Sequence, residues 1–299
     1  MRKLTVALAK MPSVSPSVAM MARETRLIEG EVPETLRHAR DVTSIYAIAP
    51  DQFLLRLPGM AFHYVRGRGI TYSRAHETPR TEVELFLNGS VYGAVAYLNG
   101  LIPLHASAVV HEGRAYAITA PSGHGKSTLA AALSQEGFGS LADDVLVLDL
   151  SDGAQISCVP GHAKMKLWQD ALDVLGLVGD TRVRCGEDKY FVNSSGQGPA
   201  VTIPLGGLFV ISETTTDQCV INPERGARRG HKVLEALYRF RFASAILGAR
   251  GIFATVSRIT EEVPIFDFGR PRKMELFPAG VGLVARRIRD TPNLSQARH

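Results

Sequence analysis

The stretch "APSGHGKST", Ala120 to Thr128, decides the fold. The run "AYAIT" before it is rich in β-forming residues, and "KSTLAAALSQ" after Gly125 has apolar residues at helical spacing. The sequence therefore predicts a strand, a glycine-rich loop and a helix, in that order. Such a loop binds anions, because unpaired backbone N–H groups and the positive end of the helix dipole converge on it.

Each residue type in this stretch has a predicted task. Glycines permit the tight backbone, the lysine reaches the β- and γ-phosphates of a nucleotide, and the serine hydroxyl holds Mg²⁺. Ala120 stands where the usual pattern has its first glycine. Because this residue ends a strand with ordinary backbone dihedrals, we expect the alanine to leave the loop intact. The predicted nucleotide contacts are Ser122, Gly123, His124, Gly125, Lys126, Ser127 and Thr128.

An acidic pair follows in "LADDVLVLDL", where Asp143 and Asp144 open an apolar run that we predict as one buried strand. Two adjacent carboxylates repel each other and require a cation or a shared proton. A Mg²⁺ ion on nucleotide phosphates supplies that cation, and a neighbouring carboxylate can accept the proton of an attacking hydroxyl. A loop of solvated acids is the alternative interpretation.

His105, in "LHASAVV", lies in an apolar run upstream of the loop, where an imidazole needs a hydrogen-bond partner. If the strand of His105 lies beside that of Asp143, this carboxylate is the expected partner. His105 would then orient or tune the base. A histidine simply satisfied within the core is the alternative.

The chain divides by pattern into three parts. Residues 1–40 lack clear periodicity and are predicted as a loosely ordered leader. Residues 41–97 form a β-rich N-terminal lobe, because short alternating runs end in Gly, Pro or Asn. Residues 98–299 carry the Gly-rich loop and the acidic pair and are predicted as the catalytic domain.

Composition narrows the function classes. The net charge of +5 is spread along the chain, which suits anionic ligands but gives no argument for nucleic acid binding. No run approaches the roughly 20 apolar residues of a membrane span. Three scattered cysteines indicate neither a disulfide framework nor a zinc site, so a cytoplasmic protein is expected.

The order "LHASAVV", "APSGHGKST", "LADDV" resembles the HPr kinase/phosphorylase family, and most closely the HPr-kinase-like serine kinases of lasso-peptide gene clusters. The resemblance implies an α/β fold, with a P-loop core, a mixed sheet and the β-rich lobe. It implies that Asp143 is the base assisted by His105, that Asp144 and Ser127 contact the metal, and that Lys189 approaches the phosphates.

The resemblance further implies an ATP- and Mg²⁺-dependent kinase that phosphorylates the C-terminal serine of a small precursor peptide. Its departures are the lack of the separate N-terminal domain and of the metal-binding glutamate segment of true HPr kinase/phosphorylases. The expected partners are a peptide or small protein substrate, with no nucleic acid and no membrane. The expected assembly is a monomer or homodimer.

Three other functions stay open at this point: a regulatory kinase of an HPr-like protein, a non-catalytic nucleotide-binding scaffold, and a small-molecule kinase or relative of phosphoenolpyruvate carboxykinase. An acceptor with a terminal carboxylate needs a cationic reader, and an arginine suits that geometry. The candidates are Arg239, Arg241 and Arg270. Trp168 is expected to pack in the core.

Overall fold

The computed structural model describes residues 14–161, 164–184, 186–193 and 200–291. It confirms a mixed α/β protein with mixed sheets. The helices are α1 (Pro16–Glu24), α2 (Arg80–Phe86), α3 (Tyr92–Leu98), α4 (Lys126–Gln135), α5 (Gln169–Leu175), α6 (Ala227–Ala236), α7 (Phe240–Glu262) and α8 (Phe277–Arg289), with a π-helical turn at Leu87–Val91 and a 3₁₀ turn at Met274–Leu276.

The strands fall into three sheets. They are β1 (Leu27–Glu29), β2 (Asp41–Val42), β3 (Tyr46–Ala49), β4 (Gln52–Leu57), β5 (Met60–Val65), β6 (Gly69–Arg74), β7 (Ile102–Leu104), β8 (Ala106–His111), β9 (Arg114–Thr119), β10 (Gly139–Ala142), β11 (Leu146–Asp149), β12 (Ser157–Val159), β13 (Lys164–Trp168), β14 (Thr181–Arg182), β15 (Lys189–Asn193), β16 (Ile203–Glu213), β17 (Val220–Pro223) and β18 (Ile265–Arg270).

The N-terminal sheet has the strand order β1-β6-β5-β4-β3-β2. Its pairs are antiparallel except for β1, which runs parallel to β6. Strands β3 to β6 follow one another as antiparallel neighbours, as the alternating runs predict. The N-terminal β-rich segment is therefore a twisted meander extended at both edges.

The prediction of a loosely ordered leader is wrong for residues 16–29, and residues 1–13 lie outside the described part. Pro16–Glu24 is helical, and β1 joins the sheet. The carboxylate of Glu24 accepts hydrogen bonds from Tyr64 Oη at 2.8 Å and from Gly67 N at 2.7 Å. These bonds tie α1 to the sheet through a buried charge, a contact that hydrophobic periodicity does not reveal.

The second sheet positions the candidate site. Its central strands β9, β16 and β18 are parallel, and β8 and β10 continue antiparallel on the other side of β9. The predicted neighbourhood of the His105 and Asp143 strands is confirmed, because β8 pairs with β10 and Ala108 lies opposite Ala142. The carboxyl ends of β9 and β10 and the amino end of β8 thus meet at one edge.

The acidic stretch is two strands and not the predicted single one. β10 ends at Ala142, and β11 begins at Leu146 and pairs with β7 and β12. Asp144 has φ +70°, a left-handed conformation that redirects the chain between the two strands. The acidic pair therefore occupies a sharp turn, where both side chains can point away from the sheet.

The two faces of the second sheet are covered by different helices. Ala115 and Ala117 of β9 face a core shared with α3 and the N-terminal sheet, while Tyr116 and Ile118 face α4 and α8. Among the described helices, α7 has the length and apolar composition of a membrane span, although Gly248 interrupts its helical geometry. α7 packs against α6 and α3.

Candidate active site

The Gly-rich loop, residues 120–125, joins the end of β9 directly to the first turn of α4. Gly123 has φ +79° and Gly125 has φ +83°, a region that disfavours other residues. A Cβ at Gly125 would also lie 2.6 Å from Nη2 of Arg270. The loop therefore requires glycine at this position and presents the unpaired N–H groups of the helix start.

Lys126 is buried, with 7% of its surface exposed. Its Nζ donates to the carbonyl oxygens of Ala120 at 2.9 Å and Pro121 at 3.3 Å. Burial lowers the pKa of Lys126, with a further contribution from Lys189, although the charges of Asp144 and Asp143 oppose this. Its described hydrogen bonds go to neutral carbonyls, so the ammonium is suited to pair with a bound anion.

Asp143 is bound to the loop. Its Oδ1 accepts hydrogen bonds from Ser127 Oγ and Ser107 Oγ, both at 2.7 Å, and its Oδ2 accepts one from the backbone N of Lys166 at 2.9 Å. Ser127, one of the two residues predicted to contact Mg²⁺, is thus hydrogen-bonded to a carboxylate. A hydroxyl and a carboxylate oxygen are hard ligands of the kind that Mg²⁺ prefers.

Asp144 forms the second half of the cluster. Its Oδ2 lies 2.7 Å from Lys166 Nζ, and its Oδ1 lies 3.4 Å from His105 Nδ1. His105 Nδ1 is also 3.2 Å from the backbone carbonyl oxygen of Asp144. The predicted pairing of His105 with Asp143 is therefore wrong: the turn at Asp144 brings the second carboxylate to the imidazole, and Asp143 turns toward Ser127.

The charges in this cluster stabilise one another. Burial alone would raise the pKa of Asp144, but the adjacent Lys166 ammonium lowers it overall. Burial would lower the pKa of Lys166, but Asp144 and Asp143 raise it overall. Asp144 is therefore a carboxylate and Lys166 an ammonium at neutral pH.

These groups border a cleft of about 380 Å³, a size typical of sites for small molecules. Asp143 lies beside it and lines a smaller neighbouring pocket with Glu84 and Asn88. The predicted site residues that line the cleft are His105, Ser122, Gly123, His124, Gly125, Lys126, Ser127, Thr128, Asp144 and Lys189. The structure thus brings together residues distributed from position 105 to position 189.

Sequence reasoning missed Lys166 and, on the far wall of the cleft, Glu213 and Arg272. Arg270, at the end of β18, donates from Nη2 to the carbonyl oxygen of His124 at 3.1 Å. Arg272 and His124 both contact Glu213, at 2.6 Å and 3.2 Å. These contacts connect strands distant in sequence, and no local motif marks them.

Of the three candidate carboxylate readers, Arg270 is the one that lines the cleft. Arg241 forms a bidentate ion pair with Asp41, at 2.8 Å and 3.0 Å. Arg239 lies over the ring of Tyr238. The core assignment of Trp168 is wrong, because 45% of this residue is exposed and its ring lines the cleft.

The site fits a nucleotide with its metal better than a metal alone. Across the described residues, no group of three or more His, Cys, Asp or Glu side chains is placed to hold a metal ion. Mg²⁺ commonly binds through one or two protein oxygens together with substrate phosphates. Ser127 and Asp143, beside an anion-binding loop and the buried Lys126, match that pattern.

The half-buried imidazole of His105 predicts a pH-dependent stability. Burial, with a contribution from Lys126, lowers the pKa of His105, whereas the unfolded chain titrates near the ordinary value of 6.5. As the pH falls below about 6.5, the unfolded chain binds a proton that the folded protein resists, so folding becomes less favourable. Thermal unfolding between pH 8 and 5 should show a smaller loss of stability on acidification for His105→Gln than for the unmodified protein. Parallel pH profiles would contradict a neutral imidazole at His105 in the folded protein.

Comparison with known proteins gives one weak structural similarity. No protein-family model matches the chain, and no curated protein matches it. Among solved structures, the HPr(Ser) kinase/phosphatase from Coxiella burnetii is similar to this chain, with 14% sequence identity and a TM-score of 0.31 over 62% of this chain and 97% of that chain. At that TM-score, the activity has to be inferred from the geometry of the cleft.

Proposed function

We propose that this protein is an ATP-dependent serine kinase that transfers the γ-phosphate of ATP to a serine hydroxyl. The acceptor we propose is the C-terminal serine of a lasso-type precursor peptide. The observation that carries the kinase proposal is that the Gly-rich loop, the buried Lys126 and Asp144 converge on one cleft, with Asp143 bound to Ser127 beside it. Such a set serves phosphoryl transfer, which depends mainly on positioning and charge neutralisation.

Lys126 and the N–H groups of the Gly-rich loop would hold the phosphates. Ser127 and Asp143 would hold Mg²⁺, since the hydroxyl and the carboxylate already contact each other at 2.7 Å. When bound, ATP supplies the phosphoryl group and Mg²⁺ offsets its negative charge. The protein itself contributes orientation, a partly enclosed cleft and a proton acceptor.

We assign the role of proton acceptor to Asp144, the reverse of the assignment implied by the sequence resemblance. Asp143 accepts three hydrogen bonds and reaches the cleft through Ser127, whereas Asp144 lines the cleft. Lys166 and His105 hold the carboxylate of Asp144 in place. As the serine oxygen attacks, its proton passes to Asp144, and the charge of Lys166 keeps this carboxylate ionised beforehand.

The proposed function is tested by intact-mass analysis of a lasso-type precursor peptide that ends in serine. The peptide is incubated with the protein, ATP and Mg²⁺, beside a peptide with a C-terminal Ser-to-Ala replacement. A gain of one phosphate on the serine peptide alone supports the proposal. Phosphorylation of an internal serine on a folded HPr-like protein instead would favour a regulatory kinase. ATP binding with every acceptor unmodified would favour the scaffold.

A further inference from the structure

One wall of the cleft is a small antiparallel sheet made of β13, β15 and β14. Trp168 pairs with Lys189 across β13 and β15, two residues along from Lys166. Alternate residues of a strand share a face, and directly opposite residues share it too, so Lys166, Trp168 and Lys189 lie on one face. Met165 and Leu167 of the other face pack in the core cluster of α4 and α5. We call the first face the Trp168 wall.

The Trp168 wall lies on the side of the Gly-rich loop where Asp143 and Asp144 lie. β8 and β10 lie on one side of β9, and β16 and β18 lie on the other. The contacts of Asp143 with Ser127 and with the backbone of Lys166 place β13 on the β8–β10 side. Arg270 is the last residue of β18 and Arg272 follows it, on the opposite side. The wall therefore borders the end of the cleft where the proton acceptor lies.

Two side chains of this wall, Trp168 and Lys189, have binding capacity that the described fold leaves unused. Trp168 is 45% exposed, although a tryptophan offers a large apolar surface whose burial is favourable. The Nζ of Lys189 lies 5.5 Å from the centre of the Trp168 ring. Among the described ion pairs, none joins Lys189 to a carboxylate of the chain. An exposed indole beside an unpaired ammonium suits a ligand that combines an apolar group with an anionic group.

We propose that the Trp168 wall binds the acceptor peptide: the indole packs against an apolar or aromatic side chain next to the acceptor serine, and Lys189 binds the terminal carboxylate. This inference rests on the proposed kinase function and specifies which residues select its substrate. In this proposal Lys189 contacts the acceptor peptide, and not the phosphates to which the sequence resemblance assigns it. Arg270, on the opposite wall, would then bind the nucleotide and not the acceptor.

Four synthetic peptides test the proposal with the full chain. They end in Phe-Ser or Gly-Ser, each with a free C-terminal carboxylate or a C-terminal amide, and kcat/KM for phosphate transfer is measured at saturating MgATP. For the unmodified protein we expect Phe-Ser to exceed Gly-Ser by about tenfold, and the free carboxylate to exceed the amide by a similar factor, because one buried contact contributes roughly that much.

The variants separate the two contacts. Trp168→Ala should lose the preference for Phe-Ser and keep the preference for the carboxylate, and Lys189→Gln should do the reverse. Val178→Ala, at an exposed position away from the cleft, should keep both preferences. If Trp168→Ala kept its preference for Phe-Ser, or instead raised KM for ATP equally with all four peptides, the indole would bind the nucleobase or nothing, and the proposal would be overturned.

Binding is measured separately from transfer. Trp168 is the single tryptophan of the chain, so its fluorescence reports directly on this wall. In the presence of MgADP, a Phe-Ser peptide should shift the emission and the amidated Gly-Ser peptide should not. A shift without any phosphate transfer would support the acceptor wall and contradict the proposed kinase. Transfer that depends on neither Trp168 nor Lys189 would support the kinase and overturn the acceptor wall.

Discussion

Replacing Asp144 by asparagine is expected to lower the rate of phosphate transfer by a factor of about 10² to 10⁴, the range typical of a lost general base. Asparagine keeps the size of the side chain and can still accept the hydrogen bond from Lys166, but it cannot take up the proton of the serine. Binding of MgATP, measured by calorimetry, should change little. The rate is measured as phosphate transferred to the peptide per unit time.

The companion variant Asp143→Asn distinguishes the two carboxylates. Because Asp143 contacts Ser127, this change should mainly raise the Mg²⁺ concentration needed for half-maximal rate. Asp173→Asn, at an exposed position on α5, serves as the matched control and should keep full activity. If Asp144→Asn retained most of the activity while Asp143→Asn abolished it at every Mg²⁺ concentration, Asp143 would be the base, as the sequence resemblance implies.

Replacing Lys166 by methionine is expected to lower the free energy of unfolding by about 2–3 kcal/mol and to reduce transfer strongly. Breaking a buried ion pair by removing one partner costs roughly 3–5 kcal/mol, and the partial exposure of Asp144 reduces this value. The ammonium also keeps Asp144 ionised, so its loss allows the pKa of that carboxyl to rise toward the value set by burial. Urea unfolding measures the stability, and the pH–rate profile should move to higher pH.

A double variant tests whether this loss arises from the pair. Lys166→Met combined with Asp144→Asn should cost less stability than the sum of the two single changes, because the charge left unpaired is then gone. Lys273→Met, which removes an exposed ion pair with Asp217, should have a much smaller effect. Additive losses in the double variant would contradict a direct coupling between Lys166 and Asp144.

Local patterns in the sequence account for the centre of the site. Consecutive residues predict the order of strand, Gly-rich loop and helix, and the structure has β9, the loop and α4 at the predicted positions. The sequence also predicts that the strands next to His105 and Asp143 are neighbours, and β8 does pair with β10, although the imidazole contacts Asp144 and not Asp143. Glycine positions with positive φ follow from the same local chemistry.

Contacts between distant segments account for what the sequence did not reveal. Lys166 lies in a strand that carries no recognisable motif, and its role arises from the tertiary contact with Asp144. The left-handed turn at Asp144 decides which carboxylate faces His105, and a non-glycine residue gives little warning of such a turn. The residue type alone predicts that Trp168 packs in the core, whereas its pairing with Lys189 places it on the cleft.

The most direct test of the account is calorimetric binding of MgATP to the unmodified protein and to Lys126→Met. The account holds that the buried ammonium and the loop form one site for the nucleotide phosphates. It predicts saturable binding at one site, with the affinity lowered at least tenfold by the variant, since a charge-assisted contact to phosphate is lost. Equal affinity for both proteins, or no binding to the unmodified protein, would contradict it.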